Sequence, residues 1–133
     1  MNKFDTIIKE ALSFKDTFKA PDEDEKLLRR KELMEKIVQD TLKKFGKRLP
    51  DGTWQIKGSL FLNELGIESL EGLNVSIVEG SFFCDDNKLT SLKGCPKKVE
   101  RNFFCDGNLA YFSEDDVREL CEVGGKIYVN DDY

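Results

Sequence analysis

Two aspartates, Asp85 and Asp106, each close a five-residue stretch of almost the same make-up, SFFCD and then NFFCD. A pair of carboxylates is enough for acid–base work, one donating a proton while the other accepts it. With Asp86 beside them they also offer the oxygen ligands that calcium takes. The glycine-rich pattern of calcium-binding repeats is missing, however, and acids at a loop edge ordinarily face water. The chain contains no histidine, which removes the commonest general base and the Ser-His and Cys-His nucleophile pairs. Cys84, Cys95, Cys105 and Cys121 form no C-x-x-C pair, so the spacing is not that of a zinc site. Neither a phosphate-binding loop nor a dinucleotide fingerprint occurs. The expectation is a chain without cofactor or metal. A small carboxylate-dependent enzyme using Asp85 and Asp106 stands as the catalytic alternative.

What must position these groups is a repeat. SLFLN from Ser59, SFFCD from Ser81, NFFCD from Asn102 and KIYVN from Lys126 share a polar start, three apolar positions and an Asp or Asn exit. Side chains alternate across a strand, so Leu60/Leu62, Phe82/Cys84, Phe103/Cys105 and Ile127/Val129 are expected to point inward. The opposite face then carries Ser59-Phe61-Asn63, Ser81-Phe83-Asp85, Asn102-Phe104-Asp106 and Lys126-Tyr128-Asn130. One repeat cannot bury its own apolar side, but stacked repeats form a continuous core. Asn87 and Asn108, shortly after two of the strands, are expected to hold the backbone of the bend.

Ahead of the repeats lie two helical patterns. Residues 4–18 place Phe4, Ile7, Ile8, Ala11, Leu12, Phe14 and Phe18 near one side at helical spacing. Pro21 starts a second helix with acids in its first turn and Leu27, Leu28, Met34, Ile37, Val38, Leu42 and Phe45 as its stripe. Gly46 is placed just beyond its end, and RLPDGTW is a turn into different structure. Further on, SEDDVRELCEVGG is a short helix with Ser113 as N-cap, Asp116 completing the capping box and Gly124 ending it.

The run Phe82-x-Cys84-x-x-Asn87-x-Leu89-x-x-Leu92 resembles the leucine-rich repeat pattern, and LTSLKGCPKKV resembles the short bacterial, LPX-type class. Similar repeats occur in small proteins of phages and bacteria. The resemblance covers residues 54–112 well, 113–133 loosely, and 1–48 not at all. Leu65 departs from it where the first unit should have Asn, and GNLAYF loses register after Asn108; terminal repeats are commonly atypical. The resemblance implies a sheet face that binds partners, and with a phage origin it implies modulation or inhibition of a host protein.

The fold expected is therefore α+β: an N-terminal helical pair (1–48), then a short leucine-rich-repeat-like solenoid with a small parallel sheet and a C-terminal cap (49–133). Its most direct function is non-catalytic protein–protein interaction through Phe61, Phe83, Asp85, Phe104, Asp106 and Tyr128. Four aromatics in a row exceed what a bare solvent face tolerates. The competing assignment covers that face with the chain's own helices, which must bury their stripes somewhere; they could instead cap the first end of the array beside Trp54 and Ile56. Net charge is +3 over residues 1–50 and −8 over 51–133, which admits an acidic nucleic-acid mimic as a further alternative. Direct nucleic-acid binding is not expected, because the helices lack a basic stripe. No apolar run approaches a membrane span, and the start lacks the apolar core of a secretory signal. A cytoplasmic location is expected, with the partner protein and oligomeric state left unassigned.

Overall fold

Helix α1 (Glu23–Phe45) opens residues 23–130, the part of the chain that this computed structural model describes. The helix expected over 4–18 lies outside the described residues. Met34, Val38 and Leu42 recur every four positions, so they form one seam along α1, and all three are buried. The seam packs at the first end of the repeat array, on β1 (Gly46–Arg48), β2 (Trp54–Ile56) and β3 (Leu60–Phe61). Capping the array is thus the placement that α1 takes. Leu28, Leu33 and Phe45 stay exposed. Gly46 plays a different part from the one expected. It has no left-handed backbone, and the chain passes straight from α1 into β1. A Cβ there would lie 2.7 Å from the Leu42 carbonyl oxygen, so the glycine is required by close approach.

Strand β1 turns back antiparallel onto β2 through the expected turn, where Asp51 accepts from both the backbone N–H and the hydroxyl of Thr53. The Arg48 guanidinium lies over the Trp54 ring at 5.4 Å. From β2 onward the chain winds as a short β-solenoid. Its coils are β2–β3, then β4 (Val75–Val78) with β5 (Phe82–Phe83), β6 (Lys98–Val99) with β7 (Phe103–Phe104), and β8 (Glu122–Val123) with β9 (Ile127–Tyr128). The first strands of the coils form a sheet of order β1-β2-β4-β6-β8, and the second strands form β3-β5-β7-β9. Every pairing after the first hairpin is parallel and, apart from a bulge between Trp54 and Gln55, sets equivalent residues side by side. The single small sheet of the sequence reading is therefore two sheets.

Between them lies the core. Ile56, Val78, Val99 and Val123 point in from the first sheet, and Leu60, Phe82, Phe103 and Ile127 from the second. Phe82 and Phe103 meet edge to face at 5.2 Å. Each fully buried side chain of this size contributes about 1.5–3 kcal/mol, and α1 adds its seam to the same cluster.

The asparagines tie one coil to the previous one. Asn87 accepts from Leu65 and Ile67 N–H and donates to the Leu62, Cys84 and Asp85 carbonyls. Asn108 accepts from Leu89 N–H and donates to Cys84 and Cys105. The first coil has no predecessor to bind, which accounts for Leu65 at that position; it packs against the core instead. Helix α2 (Glu114–Leu120) carries the expected capping box of Ser113 and Asp116 and buries Val117. It ends at Cys121 in extended conformation, ahead of β8. Gly124 follows β8, where a Cβ would lie 2.5 Å from the Glu100 carbonyl oxygen. It serves the coil corner, and it does not end the helix. No helix among the described residues is long and apolar enough to cross a membrane.

Candidate partner-binding face

Because the parallel register aligns Phe61, Phe83, Phe104 and Tyr128, their rings stack along the solenoid axis. Centroids are 4.8, 4.4 and 4.5 Å apart with interplanar angles of 15°, 6° and 3°. The inner rings are covered on both sides by their neighbours and are half-buried. The end rings are more open, Phe61 at 57% and Tyr128 at 40%. Near-parallel stacking means that Phe83 and Phe104 present ring edges outward. The whole column lies on the outer side of the second sheet, and α1 sits at the end of the array.

Two residues further along each strand stand Asn63, Asp85, Asp106 and Asn130, two acids between two amides. Asp85 and Asp106 are half-buried. The Asp85 Oδ1 is buried without a hydrogen-bond partner. Burial raises the Asp85 pKa above the usual carboxylate value; a hydrogen bond from its own backbone N–H opposes this in part, and the charges of Asp106 and Asp86 add to the rise. Asn130 is positioned as a terminal cap: its Oδ1 accepts the Gly107 N–H, where earlier coils use the backbone carbonyls of Asp85 and Asp106. Asp86 takes a left-handed backbone, as do Glu64 and Gly107 at the equivalent positions. No three Asp, Glu, His or Cys side chains among the described residues are arranged to hold a metal ion.

On the other flank the polar column is engaged internally. Ser59 Oγ accepts Ser81 N–H, Ser81 Oγ accepts Asn102 N–H, and Asn102 Oδ1 accepts Lys126 N–H. These side chains stitch successive coils together, a role that spacing alone did not reveal. The face is consequently asymmetric: aromatic edges in the middle, half-buried acids on one side, and hydroxyls and an amide already engaged on the other.

Behind the column lie the thiols. Cys84 and Cys105 are free and buried, and Cys84 donates to the Phe104 carbonyl at 3.3 Å. Burial pushes Cys84 well above the ordinary thiol range and Cys105 and Cys121 up to about 12, while half-buried Cys95 rises to about 11. Protonated thiols of this kind are poor nucleophiles and poor metal ligands. The six residues singled out by the sequence therefore share one surface, four as a ring stack and two as the adjoining acids. Asn63 and Asn130 complete the acid column; their alignment was visible in the repeat, but their role as flanks was not. No family model, curated protein or solved structure matches the chain, and its function has to be argued from this face.

Proposed function

We propose that the chain is a non-catalytic protein-binding module whose contact face is the column Phe61, Phe83, Phe104 and Tyr128 with Asp85 and Asp106 beside it. One observation carries this reading: the same coils build their other outer face from Gln55, Ile77, Lys98 and Glu122, which are aligned in the same way. A solenoid of this design does not require an aromatic column on its surface, and aromatic side chains are the commonest anchors of interfaces. The resemblance to short leucine-rich-repeat proteins of phages and bacteria supports the same reading. It extends it to a phage-encoded modulator or inhibitor of a host protein.

The test is a photo-cross-linking phenylalanine analogue placed at Phe104, with the same analogue at Lys98 as control. A protein adduct formed from position 104 and not from position 98 is the expected result. Equal labelling from both would remove the distinction between the faces. A product internal to the chain, mapped to residues 1–22, would make that segment the occupant and overturn the proposal.

One observation favours a second reading, an enzyme using Asp85 with Asp106: a raised carboxylate pKa next to another carboxylate is a common catalytic arrangement. Against it, the two acids lie on a sheet face. A cleft of about 400 Å³ lies elsewhere, lined by Arg30, Met34 and Ile67 between α1 and the first coil. Adduct formation retained in Asp85→Asn with loss of a turnover activity would favour the enzyme.

A further inference from the structure

We propose that the element seated on this face is a basic amphipathic helix of about three turns, its apolar side on the ring edges and lysine or arginine over Asp85 and Asp106. The inference rests on the protein-binding reading and names the chemistry of the partner.

Ring orientation excludes one large class of ligand from the middle of the column. A nucleobase, a sugar ring or another flat group binds aromatics by their faces, and the inner rings have no free face because each is stacked on two neighbours. Aromatic edges offer C–H surface, which suits aliphatic side chains and the faces of partner rings.

Backbone accounting excludes an extended peptide. The face is the broad side of a sheet, and its N–H and C=O groups are already committed between coils, as in Leu62 N–H to Phe83, Cys84 N–H to Phe104 and Cys105 N–H to Tyr128. Strand addition needs an unpaired edge. A peptide strand laid across the rings would instead leave its own polar groups unpaired against apolar surface. A helix satisfies its backbone internally and can lie on a sheet face.

Dimensions agree. Four strands spaced about 4.8 Å apart make the column roughly 14 Å long. At 1.5 Å per residue, about ten helical residues span it.

Charge then fixes which flank of that helix is cationic. The acids stand two residues along the strand from the rings, roughly 6.6 Å to one side. That offset is within reach of a long side chain leaving a helix flank. Ser59, Ser81 and Asn102 on the other side are already hydrogen-bonded, and Lys126 is the one charge in their column. A cation on this flank would meet the accessible part of the two half-buried carboxylates and relieve the repulsion of Asp85 by Asp106 and Asp86.

The experiment titrates the full chain with three labelled synthetic peptides of equal length, followed by fluorescence anisotropy. One is a leucine–lysine sequence with its leucines on one helical face. The second replaces every lysine by glutamate. The third keeps the leucine–lysine composition but alternates the two, which favours a strand. The helical basic peptide is expected to bind more than about tenfold tighter than either of the others. Asp85→Asn/Asp106→Asn should weaken it by about tenfold, while Glu79→Gln/Glu122→Gln on the other sheet should leave it unchanged. Equal binding of the acidic or the alternating peptide, no binding at all, or indifference to the Asp85/Asp106 variant would each overturn the helix proposal. Because the cross-link from Phe104 is read separately, a partner-binding face survives such a result and only its chemistry falls. Sedimentation of the free chain as a dimer that Tyr128→Ser dissociates would place a second copy there and also overturn it.

Discussion

The two sheets of this solenoid are built by the same coils, in the same parallel register, around the same interior, and they differ on the outside. Facing in, each supplies an unbroken apolar column: Ile56, Val78, Val99 and Val123 from one, Leu60, Phe82, Phe103 and Ile127 from the other. Facing out, the first sheet has Gln55, Ile77, Lys98 and Glu122, and its polar groups find one another. Gln55 donates to Glu79. The second has four stacked rings and a carboxylate oxygen with no partner. Because coil stacking is common to both, the difference separates what the architecture demands from what it merely permits. Inward apolar columns are demanded. The outward aromatic column is permitted, and it adds stacking energy of its own, about 0.5–1.5 kcal/mol per pair.

The largest effects should fall where the sheets are alike. Phe82 and Phe83 are neighbours in sequence on opposite sides of one strand. Phe82→Ala empties a site that is fully buried against Phe103, and should cost about 3–5 kcal/mol in chemical denaturation. A loss no greater than that of Phe83→Ala would mean that the interior does not lie where the structure puts it. Asn87→Ala comes next. It strands buried backbone groups of two coils that Asn87 now satisfies, an expected cost of about 2–3 kcal/mol. An unchanged denaturation midpoint would contradict the tie between coils.

How far these features could be read from the chain depends on how many residues carry them. The second sheet shows itself because each strand and its exit hold five aligned positions, with an aromatic repeated at the third. The first sheet does not. Its strands after the first coil bring one shared inward valine each, Val78, Val99 and Val123, after dissimilar residues, too little to display a period of two. The stripe of α1 announces that Met34, Val38 and Leu42 are buried but not what buries them, since any apolar surface satisfies the pattern. Ser59, Ser81 and Asn102 look like solvent-facing polar residues until register sets each beside the next coil's N–H. Asn87 was legible because an amide repeated at a bend has few other uses.

A middle-sized effect tests the outward difference directly. Phe83→Ser/Phe104→Ser removes all three ring stacks and should lower stability by about 2–3 kcal/mol, more than an exposed substitution normally does. Lys98→Ser on the other sheet should stay within about 0.5 kcal/mol. The decisive quantity is the ratio of binding loss to stability loss. Tyr128→Ser breaks one stack at the β9 end of the column, so it should leave folding nearly intact while reducing the yield of adduct from position 104. Full adduct yield in Tyr128→Ser would confine the contact to the other end of the column. A collapse in its stability would make the column an obligatory part of the fold and erase the contrast between the sheets.

The smallest effect concerns the acids, and here the two sheets are expected to differ. Burial, reinforced by Asp106 and Asp86, raises the Asp85 pKa in the folded chain above the ordinary 3.8. Below that ordinary value both folded and unfolded chains hold the proton, and Asp85 carries no penalty. As pH rises past it the unfolded chain releases its proton first, so folded stability declines until the raised value is passed. The penalty then persists at neutral pH. Asp85→Asn removes the charge and should stabilise the chain at neutral pH by less than about 1 kcal/mol, because solvent screens a half-buried site. The gain should fade as the pH is lowered into the carboxylate range. Glu79 on the first sheet accepts a hydrogen bond from Gln55, so Glu79→Gln should give no gain at neutral pH. Denaturation midpoints of both variants at neutral and acidic pH compare the two directly. Stabilisation by Asp85→Asn together with weaker peptide binding would mean that the second sheet keeps a charge at the expense of its own stability, as a binding face does and a purely structural face does not. Destabilisation by Asp85→Asn would show that the carboxylate is held by the fold itself, and the charge would then need no docked cation to account for it.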